Sequence, residues 1–468
     1  MNTELSKIFA DASYLAAAVL FILGLKALSH PDRARKGMFM AEIGMLLAVV
    51  GTLLYFDIVT WVYIVIGVVI GSAIGSVMAI FMPMTAMPQR IALSHAFGAL
   101  AAVLVGVYKY IEYSPDELGR IRLGAIGFEV LFGALTVTGS LMAFGKLQEL
   151  IKSAPMTYKG QNIVNITLFF ATIGLYVYFL YDPTAQWAFY SFMGLGFLVG
   201  IFLVLPIGGA DMPVVISLLN SYAGLAIAAT GIAIDNKVLI IAGSLDGTSG
   251  FFLSMLMSKA MNRSFGNVIF GAVGAAPSEA DKGKQEARTV TRYTAEDMKF
   301  VLDSAQTVVV IPGYGMAVAQ CQHVVHEMAN LLAANGTTVR FAIHPVAGRM
   351  PGHMNVLLAE ANVPYEQLFE MDAINDDFLN TDVVIVVGAN DVVNPAARWK
   401  KSSPLYGMPI LNADKARTVI ILKRSMGAGF AGEDNELFYD KKTMMVLGDA
   451  KGTLTSVVGM LKGKSGGH

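Results

Sequence analysis

VVVIPGYGMAVAQ, Val308 to Gln320, decides how the second half of this chain is read. A β-branched run, Val308–Ile311, meets Pro312, Gly313 and Gly315, and a helical pattern follows. A strand, a glycine turn and a helix in that order open a dinucleotide-binding unit. The third glycine of the usual G-x-G-x-x-G is Val318, which predicts wider helix–strand spacing or a helix that compensates elsewhere. The unit also stands behind roughly 260 residues that read as membrane.

The charge distribution separates these two parts. Apolar residues are 55% of the 468 and charged residues 15%, against about 25% charged in a typical soluble domain. Of the 69 charged residues, 28 fall in the first 260 positions and 41 in the last 208. A net charge of −1 gives no basis for nucleic-acid binding. The single Cys321 excludes an internal disulfide and a cysteine-based metal site. No cleaved signal peptide is expected, because the first apolar run is long enough to insert by itself.

Nine apolar runs are long enough to span a bilayer, near 9–29, 38–57, 58–82, 87–111, 121–145, 163–181, 185–208, 211–234 and 237–260. Short connections predict a helical bundle. Gly67, Gly71 and Gly75 make a smooth stripe in the third run, where a neighbour can pack closely. Arg33, Arg35 and Lys36, then Lys146, Lys152 and Lys159, then Lys259 and Arg263 follow the first, fifth and ninth runs. The positive-inside rule puts these loops in the cytoplasm, with the N-terminus outside and the C-terminal part inside. Arg120 and Arg122 fall on the outer side and weaken that assignment.

Ionisable groups inside spans mark proton or ion paths. His95, in RIALSHAFGAL, is the clearest. Its ordinary pKa of about 6.5 suits proton exchange, although a histidine tied to a backbone carbonyl would read the same way. Glu42, Glu129, Asp211, Asn220 and Asp246 are further polar points. Asp211, in GGADMP, reads equally as a helix cap. Glu42 and Glu129 could simply pair within the bundle. Ser140 and Asn220 could bond a histidine or a water chain, or only pack helices.

Residues 262–290 read as a linker, from GAAPSEADKGKQEA. Strands are expected at 307–312, 339–344, 382–388, 418–423 and 443–447, and helices near 315–334, 352–361, 373–380 and 450–462. The fold class is therefore an all-α polytopic membrane bundle, residues 1–261, followed by a soluble α/β Rossmann-like doubly wound parallel-sheet domain, 291–468. Ligands bind such sheets at the carboxyl ends of the strands. There Gly313 and Gly315 would let the backbone approach a pyrophosphate at a helix N-terminus. No Asp or Glu occurs between Glu327 and Glu360, where an NAD binder keeps its ribose acid. Room is left for a 2′-phosphate. Lys423, Arg424 and Ser425 in ILKRSMGAGFAG are the candidates to hold it, with Gly427, Gly429 and Gly432 in a mobile loop. A solvated basic strand end would look alike. HPVAGRMPGHMN, His344–Asn355, presents amides and Arg349, and VVGANDVVNP places Asn390 and Asp391 after a strand. That Asp could contact nicotinamide or ribose, sense protons, or only make an Asx-turn.

With GYGMAVAQ, HPVAGRMPGHMNVLLAEANVPY, GANDVVNP, KRSMGAGFAG and IGGADMPVVISLLNSYAG, the chain resembles the beta subunit of proton-translocating NAD(P) transhydrogenase over nearly its whole length. The resemblance implies that this chain holds NADP(H), in a reversed orientation. A partner alpha subunit would hold NAD(H), carry further membrane helices and join a dimer of alpha–beta units in the lipid. Hydride would pass between the nicotinamides, driven by inward proton movement across an inner membrane. The resemblance assigns proton work to His95, Ser140 and Asn220, a junction acid to Asp211, and an acid by the nicotinamide to Asp391. It implies cofactor contacts from Gly313, Tyr314, Gly315, Met316, Ala317 and Val318, and from Val346, Ala347, Gly348, Arg349, Met350 and Pro351. Further contacts are implied from Gly388, Ala389, Asn390 and Asp391, from Lys423, Arg424, Ser425, Met426, Gly429, Phe430 and Ala431, and from Asp449 and Ala450. Phe430 departs from the tyrosine of relatives and lacks its hydroxyl. A transporter or channel gated by an NADP(H)-sensing domain is the alternative. It would need no second nucleotide domain, and no potassium-filter motif is present.

Overall fold

The computed structural model describes residues 3–463 apart from 31–32, 56–60, 114, 153–154, 263, 267–289, 402, 404, 428 and 430. Most of the expected linker and Phe430 therefore lie outside the described residues. By internal contacts the chain forms two compact units, 1–207 with 215–254, and 208–214 with 255–468.

The helical unit is built from α1 (Thr3–Leu28), α2 (Ala34–Tyr55), α3 (Trp61–Phe81), α4 (Met87–Glu112), α5 (Pro115–Leu147), α6 (Gln161–Tyr181), α7 (Gln186–Val204), α8 (Met212–Ala233) and α9 (Lys237–Ala260). Among the described residues these are nine helices long and apolar enough to cross a membrane. The chain is a multi-pass membrane protein by that measure. α5 and α8 are the most enclosed, while α3 has no buried residue. The glycine stripe of α3 is correspondingly bare. A Cβ at Gly67, Gly71 or Gly75 would meet nothing within 4 Å among the described residues.

Small residues instead tighten other crossings. A Cβ on Gly224 would stand 2.3 Å from Gly247 N, so α8 and α9 touch backbone to backbone. On α4 and α5, a Cβ at Gly106 would sit 2.5 Å from Glu129 Oε1, and one at Gly133 would sit 2.7 Å from Val103 Cγ2. Lys237 pairs with Asp11 at 3.0 Å and Arg122 approaches Asp235 at 3.9 Å, which gathers these charges at one end of the bundle. Lys146 corrects the reading of loop charges. It is 1% exposed, and its ammonium donates to the carbonyls of Val204 (3.1 Å), Leu205 (2.6 Å) and Ile207 (2.7 Å). The open carbonyls at the end of α7 draw the cation in.

Among the described residues the sheet unit holds six parallel strands, β1 (Thr307–Pro312), β2 (Thr338–Ile343), β3 (Leu368–Glu370), β4 (Val383–Val387), β5 (Thr418–Lys423) and β6 (Thr443–Leu447). Their order is β3-β2-β1-β4-β5-β6. β1 runs beside β4 from Val308↔Val383 to Pro312↔Val387. Covered on both faces, β4 is buried throughout, as its unbroken VVIVV predicts.

Several elements differ from the sequence expectation. β3, three residues with no apolar run, was not expected; it pairs with β2 through Phe341↔Leu368. A helix α10 (Ala295–Asp303) was also missed, although Thr294 and Asp297 form a capping box at its start. The stretch expected as a helix at 373–380 is a short α-turn, Met371–Ile374, and a 3-10 segment, Asn375–Asn380. The helix expected over 315–334 is two, α11 (Tyr314–Ala319) and α12 (Gln322–Ala334), broken where Gln320 is left-handed at φ 48°. Met316 and Ala317 point inward from α11, and Val325, Met328 and Leu332 from α12. At 100° per residue one continuous helix would turn the second stripe well away from the first. The break rotates it back to the sheet. α13 (His353–Glu360) and α14 (Ala450–Leu461) complete the layers.

Candidate functional site

In the helical unit the site begins with His95 on α4. Its Nδ1 is buried with no hydrogen-bond partner, and Asn220 of α8 approaches the ring. Asn220 donates to Asp246 Oδ1 of α9 at 3.0 Å, a contact allowed by the backbone approach of α8 and α9. The α4–α5 contacts, Gly106 against Glu129 and Ala99 and Val103 against Gly133, fix an antiparallel register. Continued along both helices, that register sets Ser140 opposite His95. Ser140 Oγ is fully buried, also without a partner. The structure thus gathers His95, Ser140 and Asn220, and adds Asp246. Asp211 closes a 3-10 turn, Gly209–Asp211, ahead of α8 and belongs to the other unit.

In the sheet unit the order of strands reverses between β1 and β4, and ligands of doubly wound sheets sit outside the carboxyl ends at that point. Gly313 and Gly388 occupy those ends. Their backbones interlock, with Gly313 N donating to Val387 O and Gly315 N to Gly388 O, both at 2.9 Å. A Cβ on Gly313 would lie 2.4 Å from Ala389 Cα. Contact between the two strand-end loops therefore already requires the motif's glycines, whatever a ligand adds. Val318 is 56% exposed and faces solvent, while Ala317 takes the inward position. No wider helix–strand spacing is needed, because α11 ends at Ala319 before a third glycine would matter.

The loops after β4 and β5 are tied together. Asp391 Oδ2 accepts from Ala431 N at 3.0 Å. With the Asn390 amide turned to satisfy its surroundings, its oxygen accepts from Gly429 N (2.7 Å) and Lys423 Nζ (3.1 Å). Lys423 also donates to Gly427 O and lies 4.6 Å over the Phe438 ring. Burial lowers its pKa, and Asp391 and Asp434 oppose that. Lys423 is thus held inside the loop, whereas Arg424 and Ser425 are exposed. Met426 packs against the core beneath. Asp449 Oδ2 accepts from Gly452 N at 2.7 Å as the cap of α14, next to Ala450.

The loop after β2 holds two buried histidines that the sequence reading left without a role. His344 accepts from Val346 N at Nδ1 (3.2 Å) and meets Pro409 O at Nε2 (2.8 Å). His353 accepts from Arg349 N at Nδ1 (3.1 Å), while its Nε2 is buried without a partner. Burial brings both rings down to about 4, with the Arg349 charge adding to the effect at His353. Gly348 is left-handed at φ 106°, and a Cβ there would stand 2.6 Å from His353 Cβ. Arg349 is the cation that this loop presents. It is 6% exposed, its guanidinium 4.3 Å from the Tyr314 ring centre. The signal for His353 was its place in a glycine-rich strand-end loop.

A membrane-spanning bundle and a doubly wound parallel sheet in one chain define a membrane protein with a dinucleotide-type unit. The family model of the NAD(P) transhydrogenase beta subunit matches residues 10–460. The chain is 48% identical over 454 residues to the NAD(P) transhydrogenase subunit beta of Rhodospirillum rubrum, covering 96% of this chain and 98% of that one. The same figures hold for that subunit from a strain of the species. This chain belongs to the NAD(P) transhydrogenase beta subunit family.

Proposed function

We propose that the sheet unit binds NADP(H) and takes hydride from NADH held by a partner alpha subunit, coupled to inward proton movement through the helical unit. The observation that carries the choice of nucleotide is at the strand ends. β2 runs into His344 and Pro345 with no acid for a ribose 2′-OH, while Arg424 and Ser425 stand exposed after β5. These residues fit a 2′-phosphate: Arg grips it bidentately and Ser adds a hydroxyl. The backbone of 313–317, the 346–351 loop and Gly388–Asp391 would hold the rest of the dinucleotide, whose nicotinamide supplies the hydride chemistry when bound. Asp391 and Asn390, bonded to the loop at 429–431, would let that loop open and close as a lid over the site.

Protons act on affinity in this reading. Protonation at His95, with Ser140, Asn220 and Asp246 as partners, would shift the bundle between two states that bind NADP⁺ and NADPH unequally. Each tenfold shift in that ratio is about 1.4 kcal/mol. Arg33, Arg35, Lys36, Lys152, Lys159 and Lys259 support a sheet unit on the cytoplasmic side, with the N-terminus outside, and an inner membrane is the proposed location. A dimer of alpha–beta units is the proposed assembly. The test is reconstitution of the chain with its alpha subunit into vesicles. NADPH formation from NADH should rise when a proton gradient is imposed; a rate indifferent to the gradient would overturn the coupling.

A further inference from the structure

Among the described residues Glu129 is the fully buried carboxyl of the bundle that the proposed mechanism leaves unused. It is 0% exposed, and both carboxyl oxygens are buried without a hydrogen-bond partner. Thr230 of α8 is its polar neighbour, but that hydroxyl donates to Ala226 O at 3.0 Å. Tyrosines stand on the helices around it, while Lys109 and Glu112 of α4 pair with each other at 2.7 Å. Tyr110 of α4 donates to Pro183 O, Tyr176 of α6 donates to Gly124 O, and the Tyr222 ring of α8 meets Phe132. The buried cation on the same helix, Lys146, is 17 residues away and bonded elsewhere, about 25 Å along the axis. An ionisable group enclosed inside a span marks a place where a proton can be held and passed on.

Its position gives that proton a place to go. Glu129, Gly133, Thr136 and Ser140 recur at helical spacing and share one face of α5. The contacts of Glu129 and Gly133 show that this face meets α4, through Gly106, Val103 and Ala99. His95 lies 11 residues from Gly106, and Ser140 lies 11 residues from Glu129. Both separations are about three turns, roughly 16 Å. One seam of small and polar side chains thus has His95 and Ser140 at one level and Glu129 at the other. Gly106 supplies the room for the carboxyl. Beyond Glu129, toward the end of α4, Tyr110 stacks on Phe189 at 4.1 Å and Phe179 packs beside them, an aromatic plug between the seam and the end of the bundle.

We propose that Glu129 is a second proton-exchanging group of the bundle, loading protons that reach His95 along the α4–α5 seam. The inference rests on the proton-moving function proposed above. The separation is too long for a direct hop, so the seam must admit water in one of the two states. The Glu129 O–H bond then breaks and a His95 Nδ1–H bond forms through that water. The carboxylate left behind regains a proton from the side of the aromatic plug. Thr136, whose hydroxyl donates to Phe132 O at 2.7 Å, stands midway and can bond such a water.

The test uses the full chain with its alpha subunit in vesicles, following proton movement with a pH-sensitive dye and NADPH formation together. Glu129→Gln keeps the shape of the neutral acid but cannot exchange a proton. It should bind NADP(H) as the wild type does while proton movement falls roughly tenfold or more. Glu129→Asp should keep part of the rate. Gly106→Ala, which crowds the carboxyl without removing it, should slow proton movement as well. Infrared spectra of the wild type should show a protonated carboxyl band, missing in Glu129→Gln and altered by a proton gradient. Proton movement by Glu129→Gln within about twofold of wild type, or a band the gradient leaves unchanged, would overturn the proposal. If Glu129→Gln fails to fold, the gradient-induced change of the wild-type band decides alone. Wild-type vesicles that move no protons would instead refute the proposed function itself.

Discussion

In the helical unit His95 Nδ1, Ser140 Oγ and both oxygens of Glu129 are buried with no partner, whereas at the strand ends of the sheet unit Asp391 accepts from Ala431 N and His344 is bonded at both ring nitrogens, with His353 Nε2 the exception there. The contrast follows from what each unit is made of. Helices satisfy their own backbone, so a lone polar side chain between two of them has few groups to meet. Strand-end loops expose many amides and carbonyls, and polar side chains there become cross-links. A buried group left unmade costs about 1–3 kcal/mol. The seam of the bundle is therefore where a change of protonation or hydration can move an equilibrium, and the loops of the sheet are where a fixed shape is held.

Four measurements press on this contrast. The largest effect concerns the buried histidines. Their pKa values fall from 6.5 to about 4 in the folded chain. The unfolded chain then takes up protons first as pH drops. Stability of the sheet unit should be complete above pH 6.5 and decline through the window down to about 4, by up to about 3 kcal/mol per ring. Urea unfolding of the purified chain across that window would show it, and His344→Gln should remove about half of the decline. A flat profile would mean these rings are solvated, and the contrast with the bundle would collapse.

Next comes Arg424→Ala, which should weaken NADPH binding by about 1.5–3 kcal/mol, roughly 10- to 150-fold, while leaving any NADH binding alone. Calorimetry with both nucleotides checks it. An equal loss for both would place Arg424 on a shared phosphate. Gly313→Ala should destabilise by about 1–3 kcal/mol through overpacking against Ala389, visible as a lower unfolding midpoint even without nucleotide. A loss confined to nucleotide binding would restore the view that the glycine serves only a ligand. The smallest effect is expected at Val318, where Lys should change stability by no more than about 0.5 kcal/mol because the side chain faces water.

Much of the fold was legible because its signals are local. Nine apolar runs gave nine helices with ends a few residues from those read, and β-branched runs gave β1, β2, β4, β5 and β6. β3 was hidden since three residues carry no period, and it forms only because β2 offers an edge. The capping box of α10, Thr294 with Asp297, is a local signal written in the sequence. At the candidate site, the residue types were visible but their company was not. Asp246 reads as an isolated acid until the α8–α9 crossing brings it to Asn220, and Lys146 reads as a loop charge until the end of α7 takes it in.

The sequence alone determined the two-part architecture, the parallel sheet, and the cations after β5, since hydrophobic length, period and residue chemistry are written in neighbouring positions. Only the tertiary structure decided what GYGMAVAQ is. The glycines are fixed by the loop of Gly388–Ala389, some 75 residues on in sequence, the helix stops at Ala319, and Val318 turns outward. Those facts depend on which distant backbone lies against the turn, and no local pattern records that.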